Sequence, residues 1–129
     1  MKIHWIRAVI AAVLVEVVLV ILTIPIIAVI SMEAFVPFVP PVCFVVGFPF
    51  GWWAARKSES GFVWEGTLVG IVATLIYLGL ILSQAGSLKP AIDVYGPFLF
   101  VLANVAKILG CVAGAFLCGR RRVTMLAQA

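Results

Sequence analysis

Two opposite charges lie inside the most hydrophobic parts of this chain. Glu16 falls within the apolar run 6–30, and Lys107 falls within the apolar run 97–118. A charged side chain at the centre of a membrane helix costs about 2.5–3.5 kcal/mol on insertion scales, so such residues normally have a partner or a functional role. A carboxylate at this depth can hold a proton, a cation or an amine, and a lysine can neutralise it. The pair is therefore the first candidate for chemistry in the sequence.

The composition indicates that these charges belong to a membrane protein. Of the 129 residues, 65% are hydrophobic and only 11% are charged, whereas globular proteins are about half apolar and about a quarter charged. A soluble domain of this length could not bury so much apolar surface. We expect a single transmembrane domain over residues 1–129, with no second folded unit outside the bilayer.

Four hydrophobic segments predict an all-α bundle of four transmembrane helices. About 20 apolar residues cross the ~30 Å hydrocarbon core as a helix. The second segment is the shortest, because Pro37, Pro40 and Pro41 precede it and a helix tolerates proline only in its first turn. We place the helices near residues 6–30, 38–55, 62–82 and 97–118.

Basic residues predict the orientation of the bundle. Lys2 and Arg7 lie at the start of the first segment, Arg56 and Lys57 follow the second, and the run 120–122 follows the fourth. Cytoplasmic loops carry an excess of Lys and Arg, so both termini and the middle loop should lie in the cytoplasm and the protein in the inner membrane. The run 120–122 could bind nucleic acid or anionic lipid, but a stop-transfer role explains it better, and we expect no nucleic-acid partner.

Small residues recur at helical spacing in all four segments. In each segment they lie four residues apart on one helical face, as Ala8 and Ala12, Gly47 and Gly51, Gly66 and Gly70, and Gly110 and Gly114. Small residues at this spacing let membrane helices approach closely, so we expect helix packing along these faces. The small residues of the first segment recur at a constant offset in the third, and those of the second segment recur at a constant offset in the fourth. The match indicates two helix hairpins repeated in parallel, although chance spacing of common residues explains it equally well.

The two charges lie on the small-residue faces of their helices, which places them in the interior. We predict that Glu16 and Lys107 are partners in a polar cluster completed by Thr74, Tyr77 and Asn104. The cluster has two interpretations. It is either a structural ion pair that fixes which helices meet, or a site for a proton or a solute, since intramembrane ionisable groups often mark such paths.

Pro49 is the other informative residue, because it lies inside the second segment between Gly47 and Gly51. Proline removes a backbone hydrogen bond within a helix, and flanking glycines favour a kink there. We interpret Pro49 as a candidate hinge, with a static kink as the alternative.

Several chemistries lack the residues that they need. Cys43, Cys111 and Cys118 form no C-x-x-C pair, which argues against a thiol-disulfide relay. His4 is the only histidine, so zinc and haem ligation lack partners. No glycine-rich phosphate loop follows a strand, and no H-E-x-x-H motif occurs. We expect no enzyme activity, no metal and no cofactor.

The segment AAVLVEVV, residues 11–18, resembles the first helix of small multidrug resistance transporters. Those proteins have four helices and one membrane glutamate, which binds proton or drug within a dimer. The resemblance implies that role for Glu16 and a homo-oligomer, although Lys107 and the parallel repeat depart from the family pattern. The whole layout is also similar to small four-helix bacterial membrane proteins with GWWAARK-type and GRRR-type helix ends, a resemblance that implies no activity.

Two functions of different classes remain open at this point. One is a small ion- or proton-coupled transporter that uses Glu16 and Lys107 and works as an oligomer. The other is a non-catalytic structural or accessory subunit of a larger membrane complex, in which the polar interior only fixes the fold. The internal charges favour the first, and the short loops favour the second. The expected partners are the lipid bilayer and either further copies of the chain or other membrane subunits.

Overall fold

Four helices of this chain are long and apolar enough to cross a membrane, which indicates a multi-pass membrane protein. The structure is a computed structural model that describes residues 4–57 and 61–128, and no strand occurs within these ranges. Lys2, which contributed to the predicted orientation, lies outside them. The long helices are α1 (Trp5–Val29), α3 (Val39–Ala55), α4 (Phe62–Ala85) and α6 (Pro97–Gln128).

The predicted helix boundaries agree with the structure at most ends and differ at one. α1 and α3 begin and end within one residue of the prediction, and α4 ends three residues later, at Ala85. The predicted end of the last helix at Cys118 is wrong, because α6 continues through the arginines to Gln128. Arg, Leu, Met, Ala and Gln are good helix formers, so the helix persists after the apolar run has ended.

Short helical elements fill the two connections on the side away from the arginines. α2 (Met32–Phe35) and a 3₁₀ turn (Val36–Phe38) lead into α3, and α5 (Lys89–Tyr95) leads into α6. α2 contacts α1, and α5 contacts α6. Gly96 ends α5 with a φ of +79°, a positive angle that glycine adopts without strain. These elements cover one end of the bundle.

α3 and α6 form the closest helix pair, and each places glycines against the backbone of the other. A Cβ added to Gly51 would lie 2.7 Å from the carbonyl carbon of Cys111, and one added to Gly114 would lie 2.9 Å from that of Phe48. The residue numbers rise together in the two helices, so they run parallel. The same close approach occurs one turn earlier, at Gly47 and Gly110.

α1 and α4 also run parallel, because His4 at the start of α1 contacts Glu65 at the start of α4. The two hairpins, α1–α3 and α4–α6, therefore have the same orientation. Their contacts are not symmetric, since α3 and α4 pack together whereas α1 and α6 barely touch. Each helix buries its predicted small residues, which are Ala8, Ala12, Gly47, Gly51, Gly66, Gly70, Gly110 and Gly114.

Basic residues gather at one end of the bundle, which we call the basic end. Arg7 donates a hydrogen bond to the carbonyl of Trp53 near the end of α3, and Arg122 of α6 donates one to the carbonyl of Arg56. These contacts bring the start of α1, the end of α3 and the arginines of α6 together. The predicted clustering of positive charge at one end of the helices is therefore present in the fold.

Candidate functional site

Glu16 and Lys107 form an ion pair inside the bundle. The Nζ atom of Lys107 donates a hydrogen bond to Oε1 of Glu16 over 2.5 Å. Lys107 is 3% exposed and Glu16 is 7% exposed, so both charges are removed from the surroundings of the protein. Each charge compensates the other, because an ion left alone in a low-dielectric interior costs several kcal/mol.

The helices that carry the two charges have almost no close backbone contact with each other. α1 and α6 each pack against α3 and α4, which lie between them. The lysine side chain therefore reaches across the interior, as its flexible four-carbon stem allows. Its ammonium also lies 4.7 Å from the centre of the Tyr77 ring on α4, a distance suited to a cation–π contact. Three helices thus meet at one ammonium group.

A pocket of about 210 Å³ lies directly beside the ion pair. The pocket is lined by residues 16–24 of α1 and by residues 100–107 of α6. The ion pair therefore forms the end of the pocket that is nearest to the basic end. Most of the lining is apolar or aromatic, with a few polar groups, which is the usual character of a small-molecule site. Lys107 occupies Oε1 of Glu16, and the glutamate side chain lines the pocket. A ligand in the pocket would therefore lie next to the carboxylate.

On the side of the ion pair that faces the basic end, the interior is closed by small side chains. These residues have no exposed surface and pack into one cluster, which contains Ala8, Ala11, Ala12, Val15, Val69, Ala73 and Cys111. Dense packing of this kind leaves no room for a solute or a chain of water molecules. The pocket and the basic end are therefore separated by close-packed protein.

The three polar residues predicted around the pair have different positions. Tyr77 contacts the lysine and lines the pocket. Asn104 lines the pocket too, but its amide donates to the carbonyl of Phe100 at 2.9 Å and does not bond the ion pair. The structure does not bring Thr74 to the pair. It lies about one turn from Tyr77 toward the closed side, outside the pocket lining, and its Oγ1 is buried with no hydrogen-bond partner among the described residues.

Tyr95 is a pocket residue that the sequence reasoning missed. It reaches the pocket from α5, where its side chain interacts with that of Tyr77. Burial raises the pKa of the Tyr95 hydroxyl above its ordinary value of 10.0. The sequence feature that could have predicted this helix is the segment KPAIDVYG. Pro90 stands in its first turn and Gly96 follows its last residue, a pattern typical of a short helix. Cys43 of α3 also lines the pocket.

Glu65 is a second buried carboxylate that was not among the predicted site residues. It is 1% exposed and lies at the basic end. Its Oε1 accepts a hydrogen bond from the backbone N–H of His4 at 2.8 Å and lies 3.3 Å from Nδ1 of the same residue. Glu65 precedes the buried residues Val69 and Ala73 by one and two turns, and this spacing indicates an interior position. The contact joins the start of α1 to the start of α4.

Pro49 lies inside α3, which continues as one helix from Val39 to Ala55. A second internal proline, Pro25, lies in α1 directly after the pocket residue Ile24. Each proline leaves one backbone carbonyl without its usual helical partner. α1 and α3 therefore each lack one helical hydrogen bond next to these prolines.

Comparisons with protein-family models, with curated proteins and with solved structures find no match to this chain. Within residues 4–57 and 61–128, no group of three His, Cys, Asp or Glu side chains is placed to hold a metal ion. The geometry of the site therefore consists of a buried glutamate–lysine ion pair beside a pocket of mainly apolar and aromatic side chains.

Proposed function

We propose that this protein is a small membrane transporter in which a proton or a small cationic solute competes with Lys107 for Glu16. The observation that carries the proposal is the pocket that reaches the buried carboxylate. A purely structural ion pair needs no route of access, whereas a carrier needs one side of its binding group open and the other side closed. The pocket on one side of the pair and the packed cluster on the other side meet this requirement.

Protonation of Glu16 is the step that couples binding to movement. It removes the negative charge that holds Lys107, and among the described residues the ammonium is then left with only the Tyr77 ring as a partner. An uncompensated charge in the interior is costly, so the helices rearrange to restore its solvation or pairing. α1 and α6 have almost no close backbone contact with each other, so a movement of α1 changes mainly its packing against α3 and α4. Pro25 in α1 and Pro49 in α3 are the candidate hinges.

The basic end faces the cytoplasm in this proposal, and the protein lies in the inner membrane as a multi-pass oligomer. The support is the excess of Lys and Arg at that end, which characterises cytoplasmic boundaries. The pocket then lies on the outer side of the ion pair, with Tyr95 of α5 in its lining, and the packed cluster lies on the cytoplasmic side.

The experiment is a proton-flux assay on purified protein in lipid vesicles that contain a pH-sensitive dye. An imposed pH gradient should collapse faster with the protein than without it, and Glu16→Gln should abolish the difference. Glu33→Gln is the matched control, because it removes an exposed carboxylate of α2 outside the pocket. Circular dichroism establishes that both variants fold. Undiminished flux in folded Glu16→Gln would remove Glu16 from the mechanism.

A non-catalytic subunit of a larger membrane complex is the second candidate, and one observation favours it. The two charges already satisfy each other, and the backbones of α3 and α6 are in such close contact that little movement is available there. An absence of flux for the unaltered protein, together with a partner protein retained in constant proportion during purification from native membranes, would support this function over transport.

A further inference from the structure

The last part of α6 extends beyond the apolar span as a continuous helix. α6 has 32 residues, which at 1.5 Å per residue gives a length of about 48 Å. The hydrocarbon core is only about 30 Å thick, and the headgroup layers bring the bilayer to about 40–45 Å. The helix therefore carries Arg120, Arg121 and Arg122 through the headgroup layer on a rigid support.

A shallow, open groove lies between this part of α6 and Trp52 near the end of α3. Its lining combines cationic, aromatic and apolar side chains, namely Trp52, Leu117, Arg120, Arg121, Thr124 and Met125. Neither Arg120 nor Arg121 has an acidic partner among the described residues. The Arg121 guanidinium lies 5.9 Å from the Trp52 ring, a loose contact that leaves its N–H donors available. Arg122 differs, because it donates to the carbonyl of Arg56.

We propose that this groove binds the phosphate of an anionic phospholipid. A guanidinium presents a planar fork of N–H donors that matches phosphate oxygens, and two adjacent forks can share one headgroup. Basic clusters next to a membrane helix attract anionic lipids. The Thr124 hydroxyl takes no part as a donor, since it donates to the carbonyl of Arg120. The two arginines therefore supply the hydrogen bonds to the phosphate.

The apolar part of the groove favours a lipid over a free phosphate as the ligand. Leu117 precedes the arginines by one turn, toward the apolar span, and is 40% exposed. The backbone N–H of Trp52 lies beside Gly114, so this aromatic residue is also on the membrane side of the arginines. An acyl chain that leaves a phosphate at Arg120 and Arg121 would run over these two apolar side chains. Tryptophan is favoured at this depth, where a ring can contact both headgroup and chain.

Tryptophan quenching by brominated lipids tests the proposal. Protein is placed in phosphatidylcholine vesicles that contain a small fraction of brominated phosphatidylglycerol or, for comparison, the same fraction of brominated phosphatidylcholine. The brominated anionic lipid should quench tryptophan fluorescence more than brominated phosphatidylcholine does. Trp52→Phe should remove most of this excess quenching. The double variant Arg120→Gln/Arg121→Gln should remove most of the excess quenching by the anionic lipid, because both guanidinium forks that hold the phosphate are then lost.

The matched control is Arg56→Gln/Lys57→Gln, which removes two positive charges at the same end but outside the groove. We expect it to retain the excess quenching. Equal loss in this control would show that the whole basic end attracts the lipid, and it would overturn the site. Displacement of the brominated anionic lipid by inorganic phosphate alone would also overturn the proposal, because the ligand would then be free phosphate. Circular dichroism should show unchanged helicity, since the four substituted side chains are at the surface.

Discussion

Gly51 of α3 lies so close to the backbone of Cys111 in α6 that no larger residue fits between them. A Cβ at position 51 would lie 2.7 Å from both the carbonyl carbon and the Cα atom of Cys111. These are backbone atoms, which cannot move aside as a flexible side chain can. The helix pair α3–α6 therefore depends on the absence of a side chain at this position.

Gly51→Ala should destabilise the protein by about 1–3 kcal/mol or more, because overpacking forces the two backbones apart. The matched control is Gly79→Ala in α4, where an added Cβ meets nothing within 4 Å. That substitution should be neutral or stabilising by up to ~1 kcal/mol, since alanine favours the helix. Unfolding in a denaturing detergent, followed by circular dichroism, measures both. Equal stability of the two variants would contradict the close packing of α3 and α6.

The ion pair should show strong coupling in a double-mutant cycle. Glu16→Gln and Lys107→Met should each cost about 3–5 kcal/mol, because each leaves one charge buried without its partner. The double variant should be more stable than either single variant, since no charge then remains in the interior. Unfolding midpoints of the four proteins provide the cycle. Additive effects would show that the two side chains are not partners in the membrane.

Two native cysteines test the pocket without any substitution. Cys43 lines the pocket, whereas Cys111 has no exposed surface and packs against glycines of α3. A small uncharged thiol reagent should therefore modify Cys43 well before Cys111 in the folded protein. Peptide mass spectrometry gives both rates from one sample. Modification of Cys111 as fast as Cys43 would mean that the interior next to the ion pair is not closed.

Single cysteines in a cysteine-free background should report the orientation of the helices. Substitutions of Glu33 and Asp93 should react with a membrane-impermeant reagent added from outside the cell. Substitutions of Lys57 and Gln128 should react only after the membrane is opened. All four side chains are exposed, so reactivity depends on the side of the membrane. Reaction of position 57 from outside would overturn the four-span topology.

The positions of the four long helices could be predicted because apolar length and proline placement are local properties of the sequence. The buried faces could also be predicted, because residues four apart, such as Gly110 and Gly114, share one side of a helix. The end of α6 was predicted too early, at Cys118, because the prediction followed hydropathy. The arginines that follow are polar but favour a helix, and only their helix propensity would have placed the end at Gln128.

The site could be predicted only in part, because its walls depend on which helices are neighbours. Opposite charges in apolar segments pointed to Glu16 and Lys107. Nothing in the local pattern shows that α3 and α4 lie between their helices, or that a short helix carries Tyr95 to the pocket. Thr74 was placed in the cluster from its spacing alone, although a difference of one turn decides whether a side chain reaches the pocket or the packed cluster.

The separation of 91 residues between Glu16 and Lys107 has a consequence for how the protein is made. Chains are synthesised at about 5–20 residues per second, so Glu16 is made roughly 5–18 seconds before Lys107 exists. During that interval the glutamate has no lysine to neutralise it. α1 therefore enters the bilayer with the cost of an unpaired carboxyl group, about 2.5–3.5 kcal/mol on insertion scales. The long apolar run around Glu16 offsets this cost until α6 supplies the lysine.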